Sequence, residues 1–236
     1  MLIGTLWLAQ VAAFAAGLLG PWRDPAELHN PGRVARPIRI GISFSLLLGA
    51  LLVWAQSDGV LAVYAGWICA GMAASFVGDL IMARLIPVPV RLIGGMVAFA
   101  VGHACYIKGY AATLAAAGHS AFPPVLWLVL LLYGAGTVLG WQRWIQNPQR
   151  RRELNIGALV YGAWIAVMAA FAFALAWTLG GGFWLAAIGG LIFIASDFLI
   201  GLTEIRGVPI SNANDWIWLT YIAGQMGIIY AAWAAG

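Results

Sequence analysis

The amino-acid sequence predicts an all-α, polytopic membrane protein with eight transmembrane helices. Of its 236 residues, 63% are hydrophobic and only 8% are charged, and the mean hydropathy is +0.91. A typical soluble domain carries about 25% charged residues, so this composition excludes that class. Apolar runs near the roughly 20 residues needed to cross the hydrocarbon layer recur along the whole chain. The segments between them are too short for a second domain, so we predict a single transmembrane domain over residues 1–236.

The apolar runs define the predicted spans in order. They lie at about residues 2–20, 38–56, 60–83, 90–116, 123–141, 156–179, 182–202 and 213–233. The first run has the small residues of a signal-peptide cleavage site, but it lacks a basic start and is long, so we predict a retained helix. Cys69 and Cys105 both fall inside spans, which favours buried thiols over a disulfide framework.

Basic residues lie in alternate loops, and they predict the orientation. The loops after the odd-numbered spans carry Arg23, Arg33, Arg36, Arg39, Arg84, Arg91, Arg143, Arg150, Arg151, Arg152 and Arg206. Because basic residues in short loops stay in the cytoplasm, we expect both termini on the non-cytoplasmic side. This topology accounts for the net charge of +4 without a nucleic-acid partner. The use of 11 Arg against 1 Lys is typical of a GC-rich bacterial genome, and so indicates a bacterial inner membrane.

Two aspartates interrupt apolar spans. Asp79 lies in "ASFVGDLIMARLI" and Asp197 in "IASDFLIGLTEI", and the two are 118 residues apart, half of the chain. A charged side chain in a bilayer helix costs about 2.5 to 3.5 kcal/mol on insertion scales, so each aspartate needs a compensating partner. Shifting the first four spans by 118 residues brings them onto the last four. We therefore predict a 4+4 parallel pseudo-repeat.

The depths of the two aspartates agree with this repeat. Asp79 lies five residues before Arg84, about 7.5 Å along a helix. Asp197 lies seven residues before Glu204, about 10 Å along its own helix. Both belong in the cytoplasmic third of the membrane, where we predict that they face each other across one cavity. The alternative is that each aspartate only hydrogen-bonds a neighbouring helix.

Other polar residues lie near the middle of the membrane. His103, Tyr106 and Tyr110 follow at i, i+3 and i+7, which places them on one face of span four. Tyr221 and Gln225 lie four residues apart on span eight. We predict that His103, Tyr106, Tyr221 and Gln225 line the same cavity as the aspartates. For His103, a simple interhelical hydrogen bond is the alternative.

Common catalytic motifs are missing from the sequence. It contains no His-Glu-x-x-His zinc motif, no Gly-x-Ser-x-Gly elbow and no Walker loop. A metal would have to be held by Asp79, Asp197, His103 and Glu204. The chain has three histidines, with His29 in a loop and His119 at the far surface, so we expect no metal and no cofactor.

Two carboxylates in a partly dry site can divide the work of catalysis. One stays protonated as the acid while the other is ionised as the base, a division that suits hydrolysis through an oxocarbenium-like state. A vinyl ether is one such substrate. Protonation of its β-carbon gives an oxocarbenium ion, water adds to form a hemiacetal, and the hemiacetal collapses to an aldehyde and an alcohol. This reaction needs neither a covalent nucleophile nor a metal.

Five short motifs carry a resemblance to a known family. They are "RP" at 36–37, "GDLIM" at 78–82, "GHACY" at 102–106, "ASDFLI" at 195–200 and "TYIAGQ" at 220–225. In this order the set resembles the YhhN family of eight-span proteins, whose animal members are lysoplasmalogenases. The resemblance covers roughly residues 36–230.

The resemblance implies an enzyme that cleaves the alkenyl ether bond of a lysoplasmalogen. Its products are a fatty aldehyde and a glycerophospho-ethanolamine or -choline. The implied partners are a lysophospholipid substrate and the surrounding membrane lipids. Arg36 stands where the family often has Lys, and it keeps the charge that a phosphate requires. The implied catalytic residues are Asp79 and Asp197, and the implied substrate-binding residues are His103, Tyr106, Tyr221, Gln225 and Arg36.

Two other functions fit part of the pattern. A proton-coupled transporter of a small or lipid-like solute would also carry buried carboxylates and parallel repeats. Such a carrier is expected to have broken helices, for which the sequence offers only the glycine pairs at 94–95 and 189–190. A structural protein would leave two costly aspartates without a purpose.

Overall fold

The computed structural model describes residues 2–19 and 34–236, and the regular structure in this part of the chain is helical. Each predicted span overlaps one helix, in the predicted order. Arg23, His29 and Arg33, which entered the predictions above, lie outside the described residues. The helices are α1 (Leu2–Leu19), α2 (Arg36–Gln56), α3 (Gly59–Met82), α4 (Arg91–Ala116), α5 (Pro124–Gly140), α6 (Arg152–Leu179), α7 (Phe183–Ile200) and α8 (Ala213–Ala235).

Six of the described helices are long and apolar enough to cross a membrane, as expected of a multi-pass membrane protein. Four of them are α2, α3, α4 and α6. The other two are α5, counted to Ile145, and α7, counted to Arg206. In α1, the stretch Leu2–Ala16 forms a shorter apolar helix. α8 is 23 residues long but buries the polar Asp215 and Gln225. The eight-span topology therefore stays a prediction.

Helices α5 and α7 each continue into a π-helical turn, which the sequence did not predict. These turns are Trp141–Ile145 and Gly201–Arg206. They pack together, since a Cβ atom on Gly201 would lie 2.8 Å from Ile145 Cδ1. The Arg206 guanidinium also donates a 2.6 Å hydrogen bond to the carbonyl oxygen of Gln146. The contact joins the ends of α5 and α7 on the arginine-rich side of the bundle.

Glycines bring two pairs of helices into close contact. A Cβ atom on Gly71 of α3 would lie 2.8 Å from the carbonyl oxygen of Gly102 on α4. A Cβ atom on Gly189 of α7 would lie 2.6 Å from the carbonyl oxygen of Gly224 on α8. Small residues allow such an approach of two backbones in a membrane. The pairs α3–α4 and α7–α8 are accordingly closely packed.

The remaining contacts link these two pairs into one bundle. α2 packs on α3, and α6 packs on α7. α4 also contacts α6, while α8 contacts α2. Both aspartate-bearing helices, α3 and α7, thus contact helices of their own half, and α4 and α8 cross to the other half. The cavities described below lie between these helices.

Candidate functional site

A cavity of about 630 Å³ lies at the arginine-rich end of the bundle, among α2, α3, α4, α7 and α8. We call it the polar cavity. Asp79 and Asp197 both line it, although they come from helices in different halves of the chain. Its wall also includes Arg36, Ser43, Glu204 and Tyr221.

Asp79 is held by hydroxyl groups from two other helices. The Ser43 hydroxyl of α2 donates a short hydrogen bond to Asp79 Oδ2. The Tyr221 hydroxyl of α8 donates a second bond to the same oxygen, at 2.8 Å. Such bonds offset the cost of placing a carboxyl group inside an apolar bundle. Ser43 and Tyr221 are therefore the compensating partners that a carboxyl group in an apolar span was expected to need.

A chain of buried polar side chains continues behind Tyr221. The Gln225 amide Nε2 donates to the Tyr221 hydroxyl at 3.4 Å. The Tyr106 hydroxyl donates to Gln225 Oε1 at 2.7 Å. Tyr106 and Gln225 are fully buried and lie behind the wall of the polar cavity, whereas the sequence placed them in that wall. They reach Asp79 through Tyr221.

Asp197 has different surroundings. Tyr161 of α6 lies close enough to interact electrostatically with its carboxyl group. Asp197 Oδ2 is buried and has no hydrogen-bond partner among the described residues. The adjacent Ser196 hydroxyl donates a 2.9 Å bond to the carbonyl oxygen of Ile217, which ties α7 to α8 beside the aspartate. The two aspartates therefore face one cavity with unlike partners.

His103 lies behind the cavity wall as well, contrary to the sequence prediction. Its ring packs edge-on against Phe193, with 4.8 Å between the ring centroids, and Phe193 itself lines the polar cavity. Tyr106 and Tyr161 flank the imidazole at 6.3 and 6.0 Å. Neither ring nitrogen has a hydrogen-bond partner among the described residues. His103 is enclosed because α4 packs against both α3 and α6.

Four arginines line the polar cavity: Arg36, Arg39, Arg84 and Arg91. Two of them are tied to the carboxyl end of α3, where Arg36 Nη1 donates to Ala83 O at 3.3 Å and Arg91 Nη1 donates to Met82 O at 3.4 Å. Guanidinium groups suit the recognition of phosphate. The sequence predicted such a role only for Arg36, while the other three indicated the topology. Arg84 and Arg91 follow the span that carries Asp79, and this position was a signal from which their role could have been predicted, whereas Arg39 lies in α2 and has no such signal.

A second cavity, of about 450 Å³, lies among α4, α5, α6 and α7. We call it the apolar cavity. Apolar side chains such as Met96, Trp144, Ile165 and Leu191 form most of its wall. It shares Met82, Phe99, Asp197 and Ile200 with the polar cavity. Asp197 thus lies at the border between the two cavities.

The side chains considered as metal ligands do not come together. Within residues 2–19 and 34–236, no group of three or more His, Cys, Asp or Glu side chains is placed to hold a metal ion. His103 lies behind Phe193, and Glu204 is an exposed residue at the rim of the polar cavity. The residues Asp79, Asp197, His103 and Glu204 therefore do not form one metal site.

A family model described as the YhhN family matches residues 38–232. The chain belongs to the YhhN family. The matched region contains both aspartates and four of the five motifs that carried the resemblance, while Arg36 and Pro37 lie just before it. Neither a curated protein nor a solved structure matches the chain.

In this YhhN-family protein, the arrangement provides three chemical environments in sequence. Arginines lie at the mouth of the polar cavity, two carboxyl groups lie farther in, and the apolar cavity begins at Asp197. A molecule with an anionic head group and a hydrocarbon tail matches this order of basic, acidic and apolar surroundings. A bond between head and tail would then lie within reach of the carboxyl groups.

Proposed function

We propose that this YhhN-family protein is an intramembrane hydrolase that cleaves the vinyl ether bond of lysoplasmalogens. The observation that carries the proposal is the pair of carboxyl groups in one cavity with arginines at its mouth. Membership of the YhhN family supports the same activity. The products would be a fatty aldehyde and a glycerophospho-ethanolamine or -choline.

The two aspartates supply the acid and the base of the reaction. One carboxyl group gives its proton to the β-carbon of the vinyl ether, which leaves an oxocarbenium ion at the carbon bonded to oxygen. The other carboxylate takes a proton from a water molecule as that water adds to the cation, giving a hemiacetal. The hemiacetal then breaks its bond to the glycerol oxygen, and this oxygen leaves as a hydroxyl group. One water molecule is consumed and no covalent enzyme intermediate is formed.

The arginines around the mouth hold the head group. A lysophospholipid carries a phosphate, and Arg36 and Arg91 present guanidinium groups fixed to the end of α3. Because these arginines begin α2 and α4 next to loops that should stay in the cytoplasm, the polar cavity would open toward the cytoplasmic leaflet of a bacterial inner membrane. Both termini would then lie on the opposite side.

We also infer that the two half-chains are related as a 4+4 parallel repeat. The offset of 118 residues that relates Asp79 to Asp197 also relates Ser43 to Tyr161. Ser43 contacts Asp79, and Tyr161 contacts Asp197. Each aspartate would thus have a hydroxyl-bearing side chain beside it from the equivalent helix of its own half, α2 or α6.

The same offset relates Tyr221 of α8 to His103 of α4. Tyr221 bonds Asp79, whereas His103 lies beside Tyr161 on the Asp197 side. The matching contacts α2–α3 with α6–α7, and α3–α4 with α7–α8, support the repeat.

A transporter is the weaker candidate. It would be expected to have broken helices in matching positions. The glycine pairs at 94–95 and 189–190 lie inside α4 and α7, which continue through them without a break. These unbroken helices favour the hydrolase over the carrier.

The proposal is tested by assaying the purified protein in detergent for aldehyde release. The substrates are 1-alkenyl lysophospholipids with choline or ethanolamine head groups. The matched saturated 1-alkyl lysophospholipids serve as controls, because they have no double bond to protonate and should release no aldehyde. The proposal would be overturned if neither of the two alkenyl substrates released aldehyde.

A further inference from the structure

We propose that the apolar cavity is the binding site for the hydrocarbon chain of the substrate, and that the chain enters it sideways from the bilayer between α5 and α7. This inference rests on the proposed hydrolase function. It adds a binding site, a route for the substrate and a glycine that leaves room for a long chain.

Continuity between the cavities is the first argument. Both cavities contain Asp197, with Met82, Phe99 and Ile200 at the same border. A lipid whose head group lies among the arginines and whose vinyl ether lies beside Asp197 must direct its chain past this border. The apolar cavity is the space that begins there.

The size and direction of the apolar cavity suit a chain. It extends from Gly201, at the start of the second π-helical turn, along α7 to Leu191, ten residues away, or about 15 Å at the helical rise. Its volume of about 450 Å³ lies within the usual range for small-molecule sites. The long axis thus leads from the arginine-rich end toward the middle of the membrane.

The apolar cavity is open on its lipid side. Leu132 of α5, Trp144 of the first π-helical turn and Leu191 of α7 line it, yet they are 59%, 54% and 45% exposed. Exposed apolar side chains on membrane-spanning helices face lipid. At the arginine-rich end, the contact between Gly201 and Ile145 joins the two π-helical turns. A chain therefore reaches the cavity from the side rather than from its end.

Gly136 leaves room for the chain. It lines the apolar cavity, and a Cβ atom on it would meet no atom within 4 Å. Gly134 lies two residues away on the same helix, about half a turn around it, and is equally open, but it is not part of the cavity wall. A leucine at position 136 would extend into the cavity, whereas a leucine at position 134 would not. The two positions form a matched pair.

The first test compares Gly136→Leu with Gly134→Leu on decenyl and octadecenyl lysophospholipids. We expect Gly136→Leu to lower kcat/KM for the octadecenyl substrate about tenfold or more relative to the decenyl substrate, since pockets discriminate single methylene groups by roughly that factor. Gly134→Leu should leave the ratio of the two substrates unchanged. An unchanged ratio in Gly136→Leu, or the same change in both variants, would overturn the proposal.

The second test measures binding without turnover. A saturated 1-alkyl lysophospholipid with a photoreactive diazirine at the end of its chain is cross-linked to the full-length protein in detergent, and the labelled peptides are identified by mass spectrometry. We expect labels on α5, α6 and α7 next to the apolar cavity, and fewer of them in Gly136→Leu. Labels only on other helices would overturn the chain site even if aldehyde release is observed. Labels at the cavity without aldehyde release from any alkenyl substrate would instead contradict the proposed reaction.

Discussion

The hydroxyl group of Tyr221 lies 2.8 Å from Asp79 Oδ2 and joins α8 to α3 across a separation of 142 residues. Ser43 of α2 bonds the same oxygen. Three helices therefore fix one carboxyl group, and the position of its oxygen depends on how the bundle packs. This dependence allows the contributions of charge, hydrogen bonding and packing to be separated by substitution.

Replacing either Asp79 or Asp197 with Asn should nearly abolish aldehyde release. The amide keeps the volume of the side chain but cannot act as an acid or a base, a contribution of about 10² to 10⁴ in rate. The fold should survive, because each change removes a potential charge from a membrane helix. Turnover is measured on protein shown to be monodisperse by size-exclusion chromatography.

Asp58→Asn is the matched control for these two variants. Asp58 precedes α3 at the end opposite to the site, is exposed, and makes no side-chain capping bond. The Asp58→Asn variant should release aldehyde at the parent rate. If a folded Asp79→Asn or Asp197→Asn variant does so too, the acid–base role is wrong. Loss of folding in these variants would favour a structural role for the aspartates.

Removing the Tyr221 hydroxyl should have a smaller effect. Tyr221→Phe keeps the ring but deletes one of the two bonds to Asp79, so we expect kcat/KM to fall about threefold to tenfold. Tyr230→Phe is the control, since the Tyr230 hydroxyl on the same helix bonds Gln10 and not the site. Equal losses in the two variants would show that the effect comes from packing of α8.

Arg36→Gln should weaken recognition of the phosphate. We expect KM for 1-alkenyl lysophospholipids to rise about tenfold or more, as is typical when a bond to a charged group is lost. KM for a phosphate-free 1-alkenylglycerol should stay the same. Arg143→Gln, on the exposed surface of the first π-helical turn, is the control. A parallel rise in KM for both substrates would rule out a phosphate site at Arg36.

Tyr161→Phe tests the neighbour of Asp197. Because the ring is kept and only the hydroxyl is lost, kcat should fall to the same extent for decenyl and octadecenyl substrates. The control is Tyr133→Phe, which changes another tyrosine in the wall of the apolar cavity. A loss confined to the longer substrate would show that Tyr161 acts on the chain and not on Asp197.

Gly189→Ala should destabilise the bundle. Its Cβ atom would lie 2.6 Å from the carbonyl oxygen of Gly224, so α7 and α8 would have to move apart. Overpacking of this kind costs about 1–3 kcal/mol, which should lower the Tm measured in detergent. Gly134→Ala, where a Cβ atom meets nothing within 4 Å, should not lower the Tm. Equal melting temperatures for both variants would contradict the close packing of α7 on α8.

The bounds of the helices were predictable because hydropathy and helix length are local properties of the sequence. Predicted span 60–83 coincides closely with α3 (Gly59–Met82), for example. The π-helical turns were not predictable, since the i→i+5 hydrogen bonds that define them leave no mark in hydropathy or segment length. The turn at Gly201–Arg206 packs against Ile145, in another part of the chain, and the sequence does not reveal this contact.

The candidate site could be predicted only in part. Asp79 and Asp197 are detectable because a carboxylate in an apolar span is unusual. Ser43 and Tyr161 are ordinary residues of their helices, and only the contacts across the bundle bring them to the aspartates. His103 has the right depth, but its distance from the cavity depends on the rotation of α4, which the sequence does not reveal.

The order of synthesis gives the hydrogen bond from Ser43 a second consequence. α2 leaves the ribosome before α3, so the Ser43 hydroxyl is already available when Asp79 enters the membrane, and it can offset part of the insertion cost. Tyr221 and Gln225 arrive only with α8, which follows α2 and α3 in the chain. In nascent chains that still lack α8, Asp79 would therefore have the hydrogen bond from Ser43 but not the one from Tyr221. The proposed catalysis would therefore begin only once α8 is in place and Tyr221 bonds Asp79.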